Sequence, residues 1–389
     1  MERLSIYLPP FAGDYTGACS ALYELNCLIV IDDAACCTRN YVVCDEPRWA
    51  EEKKTAFCSK LKTIEAVLGD EERLIRQTIE AAQELKPEFI AILGSPVPAI
   101  IGRDMTGIAH EIEAGSGFPA IGFDTTGFTY YNAGISAAYL KLLKRFAIPD
   151  VKAQESRVNI FGFTPLDYAA NGNGALLTAL LRDNGFQTGC TFVTKTELEQ
   201  LRRAASADVN LVVSAAGLKA AQFMAAEFGI PYVVGSPLGS EYSRTIIQAL
   251  KQTREDRLSR AVSIGPAGGG AAPALLIVGE QVISNSLRNA LYQKGCKKRI
   301  AVASFFGLEP DLAAPGDLYL KSERQLIDLL KSHAYAGMIA DPLIADIPAA
   351  AALDCRRLPH PAISGRLYWD KAPLFIGGEF EKTIESWIA

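Results

Sequence analysis

Six of the nine cysteines lie between positions 19 and 58: Cys19, Cys27, Cys36, Cys37, Cys44 and Cys58. A thiolate is a soft metal ligand and a nucleophile, so such a group points to metal or iron–sulfur ligation, to thiol redox chemistry, or to plain burial of small apolar thiols. A reducing compartment disfavours a disulfide framework. The spacing C-x2-C is absent, which excludes the ordinary zinc ribbon or finger. Cys190, Cys296 and Cys355 are scattered. A second candidate pair lies near the C-terminus, where His360 and Arg366 bracket the phrase HPAISGR. An imidazole titrates near neutral pH and can give a proton, and a guanidinium can clamp a carboxylate or phosphate with two hydrogen bonds. The structural alternative is that His360 caps a turn and Arg366 pairs with a nearby acid. Nucleotide chemistry has little support: no G-x-x-x-x-G-K-[ST] occurs, and no G-x-G-x-x-G follows the first strand of a unit. Gly172-Asn173-Gly174 serves at most a tight turn or a small anion.

The elements that must position these residues follow from composition and periodicity. The chain has 389 residues, 49% hydrophobic and 21% charged, which is a packed globular protein of two or three domains. A net charge of −5 with no basic run excludes nucleic acid and an anionic membrane surface as partners. No run of apolar residues is long enough to span a bilayer and no charged-then-apolar leader opens the sequence, so a cytoplasmic protein is expected. β-branched runs alternate with amphipathic segments in three blocks. The expected fold is α/β, with three Rossmann-like domains at 1–150, 151–264 and 265–389, each a mainly parallel sheet flanked by helices, around a central cleft. Four glycines and two prolines within 265–273 mark a linker before the third block. In parallel sheets ligands bind beyond the carboxyl ends of the strands. The loops to watch are therefore 32–37, 94–104, 163–174, 214–217, 235–240, 279–286 and 360–366, and those at the cleft are expected to line one cavity holding a small-molecule substrate.

Four phrases carry a family likeness: GACSAL at 17–22, IDDAACC at 31–37, IIGRD at 100–104 and FPAIGFDTTGF at 118–128. Set in three Rossmann-like blocks, they resemble the component 1 (D/K-type) superfamily of nitrogenase and nitrogenase-like reductases. YVVCDEPRW at 41–49 is closer to the nitrogenase-like proteins of anaerobes. The resemblance implies a subunit-bridging [4Fe–4S] cluster with Cys19 and Cys37 as ligands, Cys36 and Cys44 as further metal candidates, and Cys58 in reserve. Asp32-Asp33 stands where the family has His-Gly, and Cys36 where it has a glycine. The third family cysteine falls in Gly94-Ser95-Pro96, which has none, so two chains would have to share the cage. The cofactor cysteine position reads Val213-Ser214-Ala215, so an iron–molybdenum-type cofactor is not expected. His360 lies one position from the family's cofactor histidine. The resemblance further implies a homodimer or a heteromer with a paralogous subunit, served by an ATP-dependent iron protein. The implied function is that of a reductase catalytic component, and the alternative is a non-catalytic scaffold for iron–sulfur or metallocofactor assembly.

Overall fold

The computed structural model describes residues 5–50, 56–149, 156–192, 196–262, 274–332 and 334–388. The expected linker at 265–273 lies outside the described residues, as do 150–155 between the first two blocks.

Three all-parallel sheets follow one another along the chain. The first contains β1 (Cys27–Ile31), β2 (Ala56–Cys58), β3 (Phe89–Leu93) and β4 (Ala120–Phe123) in the order β2-β1-β3-β4. The second contains β5 (Arg157–Phe161), β6 (Gln187–Thr191), β7 (Val209–Val212), β8 (Tyr232–Val234) and β9 (Arg260–Ala261) in the order β6-β5-β7-β8-β9. The third contains β10 (Ala274–Val278), β11 (Ile300–Ser304), β12 (Leu318–Tyr319), β13 (Tyr335–Ala340) and β14 (Asp354–Arg357) in the order β12-β11-β10-β13-β14. Ten of these fourteen strands lie in the segments the sequence marks as strands. The other four, β2, β9, β12 and β14, are short edge strands. Two to four residues show no periodicity, and an edge strand has only one side to pair, so its sequence need not be apolar.

The central strands read as unbroken apolar runs because helices cover both faces of each sheet. CLIVI of β1 and FIAIL of β3 are buried at every residue. Leu28, Val30, Ile90 and Ile92 pack against the helices Glu72–Leu85 and Met105–Ser116 on one face. Cys27, Ile29, Ile31, Ala91 and Leu93 join a larger core on the other face, which continues to Phe161 and Val212 of the second sheet and Leu276 of the third. The three sheets are thus fused through one apolar mass. Among the described residues, no helix is long and apolar enough to cross a membrane.

Candidate functional site

In each sheet the first strand lies inside, with later strands added on both sides. Loops leaving that strand therefore open at the point where the strand order reverses, the usual ligand crevice. After β1 this loop carries Asp32, Asp33, Cys36 and Cys37. Asp32 is fully buried and pairs with Arg103 Nη1 at 2.7 Å, while its Oδ1 accepts from Ser59 Oγ at 2.6 Å. Its carbonyl accepts from Ser95 Oγ at 2.7 Å, tying the β1 and β3 loops together. Asp33 Oδ2 accepts from the Thr38 backbone at 3.0 Å and so anchors the first turn of the short helix α2 (Cys36–Asn40). Ala35 takes φ 116° to swing the chain into that helix. The pair that replaces His-Gly thus holds the shape of the thiol turn.

Cys36 and Cys44 are exposed and Cys37 is half-buried, so this segment presents thiols to the surface. Burial first, and then the Asp33 carboxylate, push the Cys37 thiol up to about 11, against a hydrogen bond from the Tyr15 hydroxyl that lowers it. Alkylation at Cys37 is therefore expected to rise about tenfold per pH unit with no plateau below about pH 10, because only the thiolate reacts. Peptide mass spectrometry across a pH series checks this. Cys58, at the end of β2, lies 3.2 Å from the Asp33 carbonyl and accepts from the Lys60 backbone at 3.3 Å. Among the described residues, no group of three or more His, Cys, Asp or Glu side chains is arranged to hold a metal ion. The thiols of one chain do not make a complete cage.

Cys19, the other expected ligand, lies deeper in the fold. It lies on helix α1 (Asp14–Leu22), all nine residues of which are buried, and its own exposure is 0%. Its thiol is raised well above its ordinary value by burial, with Cys27 and Glu46 as the next contributors. In the single chain its sulfur is covered on all sides, so serving a cluster shared between chains would require α1 to open. Cys19→Ala is expected to cost about 1–2 kcal/mol through lost packing. Iron content of the anaerobically purified protein should not change, and elemental analysis beside thermal denaturation reads both.

The second convergence lies where the three sheets meet. Asp167 follows β5 in the turn Pro165–Tyr168, Glu280 follows β10, Asp341 follows β13 and His360 follows β14. Tyr131 opens the helix Tyr131–Phe146 after β4. All five are buried. The Tyr131 hydroxyl donates to Asp167 Oδ1, and His360 Nε2 lies 3.0 Å from that oxygen and 3.2 Å from the Tyr131 hydroxyl. Asp341 accepts from the His360 backbone at 2.8 Å and fixes its entry angle. One Glu280 oxygen accepts from the Ala215 backbone at 2.8 Å and the other caps the following helix at Ile283, 2.9 Å away. Burial, followed by the Asp167 charge, pushes Glu280 up to about 7 against those two N–H bonds. Asp167 Oδ2 is buried without a hydrogen-bond partner.

Asp167, Glu280, Ser284 and His360 are the polar walls of a chamber otherwise lined by residues such as Ile277, Ile339, Leu358 and Phe375. Its free volume is about 30 Å³, room for a water molecule and too little for an organic substrate. A roomier cleft of about 330 Å³ opens nearby, among Phe11, Tyr130, Phe305, Lys321 and Ser322.

His360 is thus inside the junction, and Arg366 is exposed and is not one of the chamber's lining residues. The helix Pro361–Ser364 ends at Gly365, and the segment Gly365–Lys371 turns towards the Tyr41–Asp45 turn that carries Cys44. The loop at 94–104 sits with Asp32 and does not line the chamber. Asp167, Glu280, Asp341 and Tyr131 escaped the sequence reading. The signal available was a carboxylate shortly after a fully apolar run, as in LLIVGE and MIADP.

The profile of the family described as nitrogenase component 1 type oxidoreductase matches residues 18–303. Nitrogenase iron-molybdenum cofactor biosynthesis protein NifE of Methanosarcina barkeri is 27% identical over 220 residues, covering 53% of this chain and 46% of that one. A subunit of the light-independent protochlorophyllide reductase of Pelodictyon phaeoclathratiforme is 26% identical over 180 residues, covering 44% of this chain and 33% of that one. The chain therefore spans less than half the length of these curated relatives. The solved structure titled "Nitrogenase Cp1 at pH 6.5" superposes with a TM-score of 0.71, covering 99% of this chain and 94% of that one at 14% identity, a likeness of fold.

Proposed function

The chain belongs to the nitrogenase component 1 type oxidoreductases, and from that premise we propose that it is a reductase catalytic component receiving low-potential electrons from an ATP-dependent iron protein. The observation that carries this reading is the surface position of the Cys36, Cys37 and Cys44 segment at the carboxyl edge of the first sheet. Cys37 and one exposed neighbour from each of two chains would make the four thiolates that a [4Fe–4S] cluster needs. Two copies of this chain, or this chain and a paralogous subunit, supply them. When bound, the cluster supplies one-electron transfer. The chain's own residues do the rest: Asp32 and Asp33 shape the thiol turn, Tyr15 donates to Cys37, and His360, held by Asp167 and Asp341, stands ready to pass a proton. Arg366, close to the Cys44 turn, offers an exposed guanidinium for an acidic group of substrate or partner. The substrate is a small molecule, the 330 Å³ cleft beside the junction is large enough to admit one, and the setting is the cytoplasm.

A second reading has a specific support. The match to a cofactor biosynthesis protein covers 53% of the chain, and the chamber at the junction is too small for substrate, which suits a scaffold that carries a cluster without turning over. Anaerobic purification followed by assay with a cognate iron protein, ATP and a low-potential donor separates the two. Iron with nucleotide-dependent substrate reduction supports the reductase. Iron that passes to an acceptor protein without turnover supports the scaffold, and protein that never holds iron refutes both.

A further inference from the structure

Two buried carboxylates that face one small chamber repel each other unless a proton, a cation or a hydrogen-bond donor stands between them. Glu280 and Asp167 face such a space. The residues lining the chamber include no lysine or arginine, and the one basic side chain among them, His360, is taken up by Asp167 Oδ1 at 3.0 Å and leaves Oδ2 and Glu280 unmatched. The geometry for a metal ion is absent among the described residues. The titratable groups around Glu280 are Asp167 and Tyr168 from the second sheet, Tyr131 from the first and His360 from the third, with Asp341 behind them on the His360 backbone. Burial, and after it the Asp167 charge, hold the Tyr131 hydroxyl protonated well above its ordinary range. Asp167 Oδ1 is already engaged by Tyr131 and His360, while Asp167 Oδ2 has no donor. The chamber between them has room for one water and little more.

We propose that the junction is a proton store, in which Glu280 and Asp167 share one exchangeable proton through a single water seated in the chamber. The water accepts from the Glu280 hydroxyl and donates to Asp167 Oδ2, the donor that this oxygen lacks. Transfer breaks the Glu280 O–H bond as the water takes that proton, and the water gives one of its own to Asp167; no electrons change hands. His360, 3.0 Å from Asp167 Oδ1, is the group through which the proton leaves. The Asp167 carboxyl turns to present its protonated oxygen and breaks that O–H bond as a neutral Nε2 takes the proton, while the Tyr131 hydroxyl stays a donor to Asp167. The three sheets each contribute one part, so the store exists only when all three are packed together. Its use as the proton source for a reduction rests on the reductase reading above, but the store itself does not.

Infrared titration of the full-length protein tests it directly. A protonated carboxyl band, shifted in D2O, is expected at neutral pH and should bleach with a midpoint near the value of about 7 to which Glu280 is pushed. Glu280→Gln should remove the band. Asp167→Asn takes away the facing negative charge and should lower the midpoint by about one pH unit. A neutral-pH protein with no carboxylic acid band overturns the proposal, as does a band that survives Glu280→Gln. If Glu280→Gln does not fold, the Asp167→Asn midpoint decides, and an unmoved midpoint overturns it. A band behaving as expected in a protein without turnover upholds the store and removes the reductase reading alone.

Discussion

Cys37→Ala is expected to leave the anaerobically purified protein colourless and without iron, where the proposed function gives the parent about four irons per pair of chains. The loss should be complete because a thiolate ligand is removed, and because one chain offers no alternative cage among its described residues. The fold should survive. Cys37 is half-buried on a five-residue helix, and the main loss to the protein itself is the acceptor of the Tyr15 hydroxyl. Single substitutions of the exposed Cys36 and Cys44 identify the second ligand: the one whose loss halves or abolishes iron is in the cage, and the other should leave it intact. Cys19→Ala is the comparison that gives the result its meaning. Full iron with Cys37→Ala and none with Cys19→Ala would reverse the assignment and would require α1 to open on loading. The loading reaction has a pH dependence of known sign. The Cys37 thiol, raised to about 11, must release its proton to become a ligand, so iron uptake from a buffered source should quicken as pH rises through 7 to 9.

What the sequence disclosed, and what it hid, follows from how strongly each feature is written in local chemistry. LLIVG and FIAIL announce buried parallel strands on their own, and most of the inner strands could be placed from such runs. The three-block order followed, since a parallel strand needs a crossover and the intervening helices are amphipathic. The stretch GDYTGACSAL was harder. Small residues next to a cysteine suit a metal cage, where backbone must approach sulfur closely, and they equally suit a helix that must approach another helix. The structure uses them for the second purpose, and Cys19 points into the core. His360 was visible because histidines are few and loop positions after strands are privileged. Asp167 and Glu280 were not, because carboxylates are common and what sets these two apart is burial and a shared chamber, which no local pattern records. Arg366 fails to follow His360 into the junction because Gly365, at φ 52°, turns the chain outward between them.

Gly17→Ala and Gly134→Ala are each expected to cost about 3 kcal/mol or more, lowering the melting temperature by roughly 5–10 °C. Helix α1 and the helix Tyr131–Phe146 cross with their backbones in contact. A Cβ on Gly17 would fall 1.9 Å from the Tyr131 carbonyl oxygen, and one on Gly134 would fall 1.7 Å from the Asp14 carbonyl oxygen. Neither obstacle is a side chain that can rotate away. Asp14 is also pinned, accepting from the Thr126 and Gly127 backbones at 3.0 and 2.7 Å and from Thr129 Oγ1 at 2.8 Å. The helices must therefore separate, and Tyr131 moves with its helix. Its hydroxyl then leaves Asp167 and His360, so the same substitution that loosens the first sheet reaches the proton site of the other two. Gly378→Ala serves as the control: its Cβ would meet nothing within 4 Å at the first turn of a helix, and it should be neutral or slightly stabilising. If Gly17→Ala melts within a degree or so of the parent while Gly378→Ala does the same, α1 is not seated against Tyr131 as described. Both the burial of Cys19 and the geometry that brings Tyr131 to Asp167 would then have to be given up together, since the one crossing sets them both.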